Sequence, residues 1–124
     1  MQTLTQKAKV GTFGEDVAAS FLSKKGYKIL QRNFKARYGE LDIIAIHNKT
    51  LVFIEVKTRT SLRFGTPEEA ITPRKLHELV QTAQYYVILH PELPTLMRID
   101  VIGIIMDEIT EEVQRITHTE NITS

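Results

Sequence analysis

The chain has 124 residues, 42% of them hydrophobic and 25% charged, a balance typical of globular domains and far from that of disordered chains. It contains no cysteine, which excludes disulfides, thiolate metal sites and cysteine nucleophiles and fits a reducing cytoplasm. Net charge is only +1, yet residues 1–75 carry 14 Lys or Arg against 7 Asp or Glu (+7) and residues 76–124 carry 2 against 8 (−6); a basic face for a polyanion and a solvated surface of mixed sign are both open readings.

From Val10 to Lys25 the apolar residues Val10, Phe13, Val17 and Phe21, with Ala18 and Leu22, recur at three- and four-residue spacing, and Gly26 stands where a left-handed helix stop is common. This predicts a first helix. Tyr27 to Phe34 reads as a strand, Lys35 to Gly39 as a basic connection, and Glu40 to Ile46 and Leu51 to Thr58 as the two arms of a hairpin. Arg59 to Thr72, with Gly65 and Pro67, reads as a long loop with one helical turn at Pro67 to Ala70.

Thr72-Pro73 then opens a second helix, Thr as cap and Pro at its first position, with Leu76, Leu79, Val80, Ala83 and Val87 as its apolar stripe. Pro91 and Pro94 close it, Met97 to Met106 reads as a fourth strand, and Val113 to Thr119 as an alternating fifth. The central strands are apolar on both faces, so helices must cover both sides of the sheet. The expectation is one α/β domain over residues 1–124, with its core at about 10–106 and a C-terminal strand and tail at 107–124. The longest apolar run, Val101 to Met106 with Gly103 counted in, is too short to span a bilayer, and no signal peptide is recognisable. A cytoplasmic protein without a membrane partner is expected.

Into the hairpin the sequence sets Glu40, Asp42, Glu55 and Lys57. Strand alternation puts Glu55 and Lys57 on one face, and whether the loop is His47 to Thr50 or only Asn48-Lys49, Ile46 pairs with Leu51, a register that continues to Asp42 opposite Glu55 and Glu40 opposite Lys57. Directly opposed residues have β-carbons about 4.5–5.5 Å apart, where like charges repel. A divalent cation is the simplest compensation, and carboxylate, carbonyl and phosphate oxygens suit Mg²⁺. A lysine beside such a site can orient a nucleophile or neutralise a phosphoryl transition state; a plain salt bridge between Lys57 and Glu40 is the bland alternative.

Glu15 shares a helix face with Ala18, Ala19 and Leu22, so it either reaches the sheet and completes a metal shell or sits near the helix start for the dipole's sake. Asp16 aligns with Ser20 and Ser23 and reads as solvated. Lys75, in line with Leu79 and Thr82, is a phosphate contact or a solvated charge. His47, His77, His90 and His118 show no ligand spacing, which argues against a histidine zinc site. No phosphate-cradling glycine loop is present.

The spacing from Asp42 to E-V-K at 55–57 resembles the PD-(D/E)xK nuclease signature of restriction endonucleases and archaeal Holliday junction resolvases. More specifically, G-E-D-V-A-A at 14–19, G-Y at 26–27, R-N-F at 32–34, G-E-L-D at 39–42, V-F-I-E-V-K-T-R at 52–59 and R-I-D-V at 98–101 resemble the YraN-like family of small bacterial proteins, over roughly residues 10–106. The resemblance implies a restriction-endonuclease-like fold, a central mixed sheet of about five strands flanked by helices on both faces. It further implies that Asp42, Glu55 and the Val56 carbonyl hold Mg²⁺ or Mn²⁺, that Lys57 lies beside the attacking water, and that Glu15 matches an extra helix carboxylate of the resolvases. Leu41 stands where the signature's name has proline; only the acid after it has a chemical task.

The expected activity is metal-dependent hydrolysis of DNA, branched or structured by resolvase analogy, with Arg37, Arg59, Arg63 and Lys75 as candidate phosphate contacts. The alternatives are a non-catalytic nucleic-acid-binding module or a protein-interaction domain on the same fold. A homodimer would let two sites address two strands, and the apolar strand Val101 to Met106 is a candidate contributor to its interface.

Overall fold

The computed structural model describes residues 4–63 and 65–123. Helix α1 (Leu4–Lys24) leads into three antiparallel strands, β1 (Lys28–Ala36), β2 (Gly39–His47) and β3 (Thr50–Arg59). A short 3-10 turn (Glu68–Ala70) and helix α2 (Pro73–Leu89) then cross over to β4 (Met97–Met106), parallel to β3, and β5 (Val113–Thr119) closes the sheet antiparallel to β4. The strands lie in chain order, β1-β2-β3-β4-β5. The one parallel pair is the one joined by a helix, because a parallel connection must carry the chain back along the whole strand.

Local chemistry accounts for the boundaries. The α1 terminus closes in a left-handed cap, Gly26 at φ 90°, with the Tyr27 amide donating to the Leu22 carbonyl at 3.0 Å. Asn48 and Lys49 both have positive φ, 49° and 64°, the conformation of a two-residue hairpin turn that matches strand twist. The Thr72 hydroxyl accepts the Lys75 amide at 3.1 Å, capping α2 as its sequence predicts. The first helix begins at Leu4 rather than Val10.

Two cores flank the sheet. Ala18 and Leu22 of α1 pack with Tyr27, Ile43, Ala45, Val52, Ile54, Ile102 and Ile104 on one face, and Leu79, Ala83 and Tyr86 of α2 pack with Leu41, Ile44, Leu51, Phe53 and Ile99 on the other. The mixed five-stranded sheet with a helix on each face is thus the α/β arrangement expected. One expectation fails: Val101, Ile102, Ile104 and Met106 are 0–3% exposed, because β4 lies between β3 and β5 with both faces covered, so this strand offers no subunit interface.

Two local features shape the site, one in a strand and one in a helix. In β1, Asn33 adopts φ 55°, a left-handed conformation asparagine tolerates better than most residues. The kink lets Arg32 face α1, where its Nη2 lies 2.8 Å from Asp16, while Phe34 turns to the α2 core. In α1, Gly14 sits against β3 so closely that a β-carbon there would overlap the Thr58 hydroxyl. That contact brings the next residue, Glu15, to the sheet.

Candidate metal centre at a strand fork

The β2–β3 ladder has the register the hairpin predicts, running from His47 with Thr50, through Ile46 with Leu51, to Ile43 with Ile54. There it stops. Continued one step it would set Asp42 level with Glu55, but the strands part, and Asp42 Oδ2 accepts the Val56 amide at 2.8 Å, taking the place a β2 carbonyl would fill. The N–H and C=O of one strand residue point to the same side, so the Val56 carbonyl also faces this fork. The expected pairing of Glu40 with Lys57 is not formed, since the ladder ends before reaching it.

Glu55 is 4% exposed. Its Oε1 lies 3.4 Å from Lys57 Nζ, on the same strand face two residues on, and 3.6 Å from Lys75 Nζ at the start of α2. Its Oε2 is buried with no hydrogen-bond partner. Lys75 is therefore not simply solvated: the packing of α2 across the sheet brings it to the same carboxylate as Lys57. Spacing along α2 does not reveal this, because it depends on where the helix crosses β3.

Asp42 is 8% exposed, and its pKa is pushed up from 3.8 to about 7. Burial is the main cause, followed by the negative charge of Glu55; the Val56 amide and Lys57 pull the other way. Glu15 is raised for the same reasons, burial first and then Asp42, with Arg32 opposing; Arg32 Nη2 lies 4.0 Å from it. Three carboxylates thus crowd one end of the sheet, although Asp42, Glu55 and Glu15 do not form a set whose donor atoms all lie within 4.8 Å of one another. Asp16, beside it, is exposed and ion-paired with Arg32 at 2.8 Å.

The candidate phosphate-contacting residues lie at this same end. Arg37 is exposed on the two-residue turn between Ala36 and Gly39. Arg59 ends β3 and donates to the Thr58 carbonyl at 3.1 Å, and exposed Arg63 follows in the loop, its amide donating to the Ser61 hydroxyl at 3.0 Å.

A second cluster escaped the sequence reading. Asp100, His118 and Glu120 have donor atoms within 4.8 Å of one another, a set with the chemistry to hold a metal. Its donors are already committed. Fully buried Asp100 receives Arg98 Nε at 3.1 Å, His118 Nε2 at 2.8 Å and the Asn121 amide at 2.9 Å; Lys25 Nζ lies 2.8 Å from His118 Nδ1; and Arg98 reaches Glu120 at 3.6 Å. A guanidinium and an ammonium occupy the place a cation would need. His118 meets Asp100 only through the β4–β5 pairing and Lys25 only through the packing of α1, so no local spacing announces the group.

Fold and site together define a class: a small α/β domain with a mixed sheet whose central antiparallel pair splays around buried carboxylates. The sequence matches the family described as Uncharacterised protein family UPF0102 over residues 14–104, and the chain belongs to that family. It is 45% identical over 108 residues to a UPF0102 protein of Syntrophomonas wolfei, covering 87% of this chain and 94% of the relative. It is 42% identical over 115 residues to one from Caldanaerobacter subterraneus, covering 93% and 94%, and 45% identical over 115 residues to one from Chlorobium phaeobacteroides, covering 93% and 91%. Among the described residues, no helix is long and apolar enough to cross a membrane.

Proposed function

We propose that this protein is a metal-dependent nuclease that hydrolyses phosphodiester bonds in DNA. The observation that carries the reading is the buried, unpartnered Glu55 Oε2 beside a second buried carboxylate, Asp42, whose charge that burial and Glu55 together oppose. A buried acid oxygen without a partner is costly, and a divalent cation between Glu55 and the neighbouring buried Asp42 would supply one and offset the repulsion between the two carboxylates. The donor set is all oxygen: Asp42, Glu55 and the Val56 carbonyl, with Glu15 at the margin. Such donors suit Mg²⁺ or Mn²⁺.

When bound, a divalent ion of this kind lowers the pKa of water and offsets charge building on phosphate. The chain's own groups do the rest. Lys57 and Lys75 approach Glu55 from the strand and from α2, where an ammonium can orient the attacking water or a phosphate oxygen. The Val56 amide holds the Asp42 carboxylate against β3 by one hydrogen bond. Arg37, Arg59 and Arg63 supply positive charge along the approach of a phosphate backbone, which is the part of DNA that charge alone recognises. Branched or otherwise structured DNA is the substrate the resolvase resemblance favours.

The test is incubation with Mg²⁺ or Mn²⁺ and linear, nicked, flap and four-way DNA. Cleavage of at least one substrate, lost with EDTA and in Asp42→Ala, is expected. No cleavage of any, or cleavage that survives Asp42→Ala and Lys57→Ala, overturns the proposal.

A further inference from the structure

Beside the fork, on the α2 side of the sheet, lies a groove of about 430 Å³ lined by Phe34, Lys35, Arg37, Tyr38, Tyr85 and Leu89. Its charged lining residues are both basic. Tyr38 and Tyr85 are 47% and 42% exposed, a large outlay of aromatic surface for a chain with only 4 tyrosines and no tryptophan. The rings are held rather than loose: the Arg37 guanidinium lies 5.8 Å from the Tyr38 ring centre, and Tyr85 lies 6.4 Å from Phe34, itself fixed edge-on against Tyr86 at 5.0 Å.

We propose that this groove is a stacking site for unpaired bases of a DNA strand, seating the strand next to the reactive fork. The inference deepens the nuclease reading and rests on it for the identity of the polymer. Aromatic faces flanked by lysine and arginine are what single-stranded nucleic acid requires, since every base has a face to stack and every linkage a charge to neutralise. The volume is in the range that holds a compact ligand such as a nucleoside.

Placement favours this occupant. Phe34 pairs with Leu41, the residue before Asp42, and Tyr38 lies four positions along the chain from Asp42, roughly 13 Å at ~3.3 Å per residue. A strand whose phosphate sits at the fork therefore reaches the tyrosines within a few nucleotides. A perfect duplex keeps its base faces stacked on each other and offers none to Tyr38 or Tyr85. Given the nuclease reading, this geometry directs cleavage to the neighbourhood of a junction, flap or single-stranded gap.

The inference is tested in EDTA at low salt by fluorescence anisotropy with three labelled probes: a thymidine oligonucleotide, an abasic oligomer of the same length, and a blunt duplex. The thymidine oligomer is expected to bind more tightly than the abasic one. Tyr38→Ala and Tyr85→Ala are each expected to weaken its binding about tenfold, while Tyr38→Phe and Tyr85→Phe retain it and abasic binding stays unchanged. Both side chains are exposed, so these variants are expected to fold, which circular dichroism checks. Equal binding of thymidine and abasic oligomers, tyrosine variants that bind like the parent, or a duplex held as tightly through the same tyrosines would each overturn the inference. Because no metal is present, these outcomes are separable from the cleavage assay: stacking can fail while Mn²⁺-dependent cleavage persists, and base-dependent binding can hold where no cleavage is seen.

Discussion

Asp42 Oδ2 accepts the amide hydrogen of Val56 across 2.8 Å, at the point where β2 leaves β3. A side chain thus closes a ladder that the backbone abandons. Asp42 and Glu55 both lie buried where the strands part, so one hydrogen bond ties the end of a regular hairpin to the beginning of a site. Asp42→Ala should remove both the acid and this tether, whereas Asp42→Asn keeps an acceptor oxygen for Val56. Cleavage is expected to fall in both, by roughly a hundredfold or more, while circular dichroism shows the fold retained in Asp42→Asn.

Removing that charge should also stabilise the metal-free protein. The Asp42 pKa rises from 3.8 to about 7 on folding, so between those values the folded state keeps a proton that the unfolded chain releases. Raising pH through this window therefore favours unfolding, and the penalty is complete above about pH 7. The shift bounds the effect at about 4 kcal/mol; sharing of charge with Glu55 makes about 2 kcal/mol the expected gain for Asp42→Asn at pH 8. Urea titrations in EDTA at pH 5 and pH 8 measure it: the variant should gain most at pH 8 and roughly a third as much at pH 5, and in separate titrations without EDTA Mg²⁺ should stabilise the parent alone.

Arg98 and Asp100 should behave as structural partners. Asp100 is fully buried and its pKa is lowered: burial alone would raise it, but the bonds from His118, the Asn121 amide and Arg98 outweigh burial. Its contribution is present above its ordinary pKa and is lost as pH falls through the depressed one. Arg98→Ala leaves that carboxylate short of its guanidinium and is expected to cost about 3–5 kcal/mol. His118→Ala, by contrast, should leave Mn²⁺ binding unchanged, since Arg98 and Lys25 already occupy the cation's place. Isothermal titration with Mn²⁺ separates the two clusters.

Gly14 should tolerate no side chain. A β-carbon there would overlap the Thr58 hydroxyl, so Gly14→Ala must push α1 off β3 and carry Glu15 with it. A destabilisation of about 1–3 kcal/mol is expected, with partial recovery in the Gly14→Ala/Thr58→Ala double variant, read from thermal melts.

Much of this was written in the sequence, for identifiable reasons. The period-two run from Leu51 to Lys57 and the two-residue turn at Asn48-Lys49 fix the β2–β3 register without outside help, and with it the approach of Asp42 to Glu55. Thr72-Pro73 and Gly26 mark helix ends through backbone chemistry that acts within a few residues. What stayed hidden depends on contacts distant along the chain. The ladder's end at Ile43 follows from Asp42 outcompeting a β2 carbonyl for Val56; Lys75 reaches Glu55 only because α2 crosses the sheet there; and the Asp100 network draws on α1, β4 and β5 at once. The face change between Arg32 and Phe34 comes from a single left-handed asparagine, which alternation cannot foresee.

The central claim is that Asp42 and Glu55 hold one divalent cation. A crystal soaked in Mn²⁺ and measured at the manganese absorption edge tests it most directly. The account predicts one anomalous peak at the fork, bonded to both carboxylates and absent in Asp42→Asn. A peak at Asp100, His118 and Glu120 instead, or none at the fork at millimolar Mn²⁺, would contradict it.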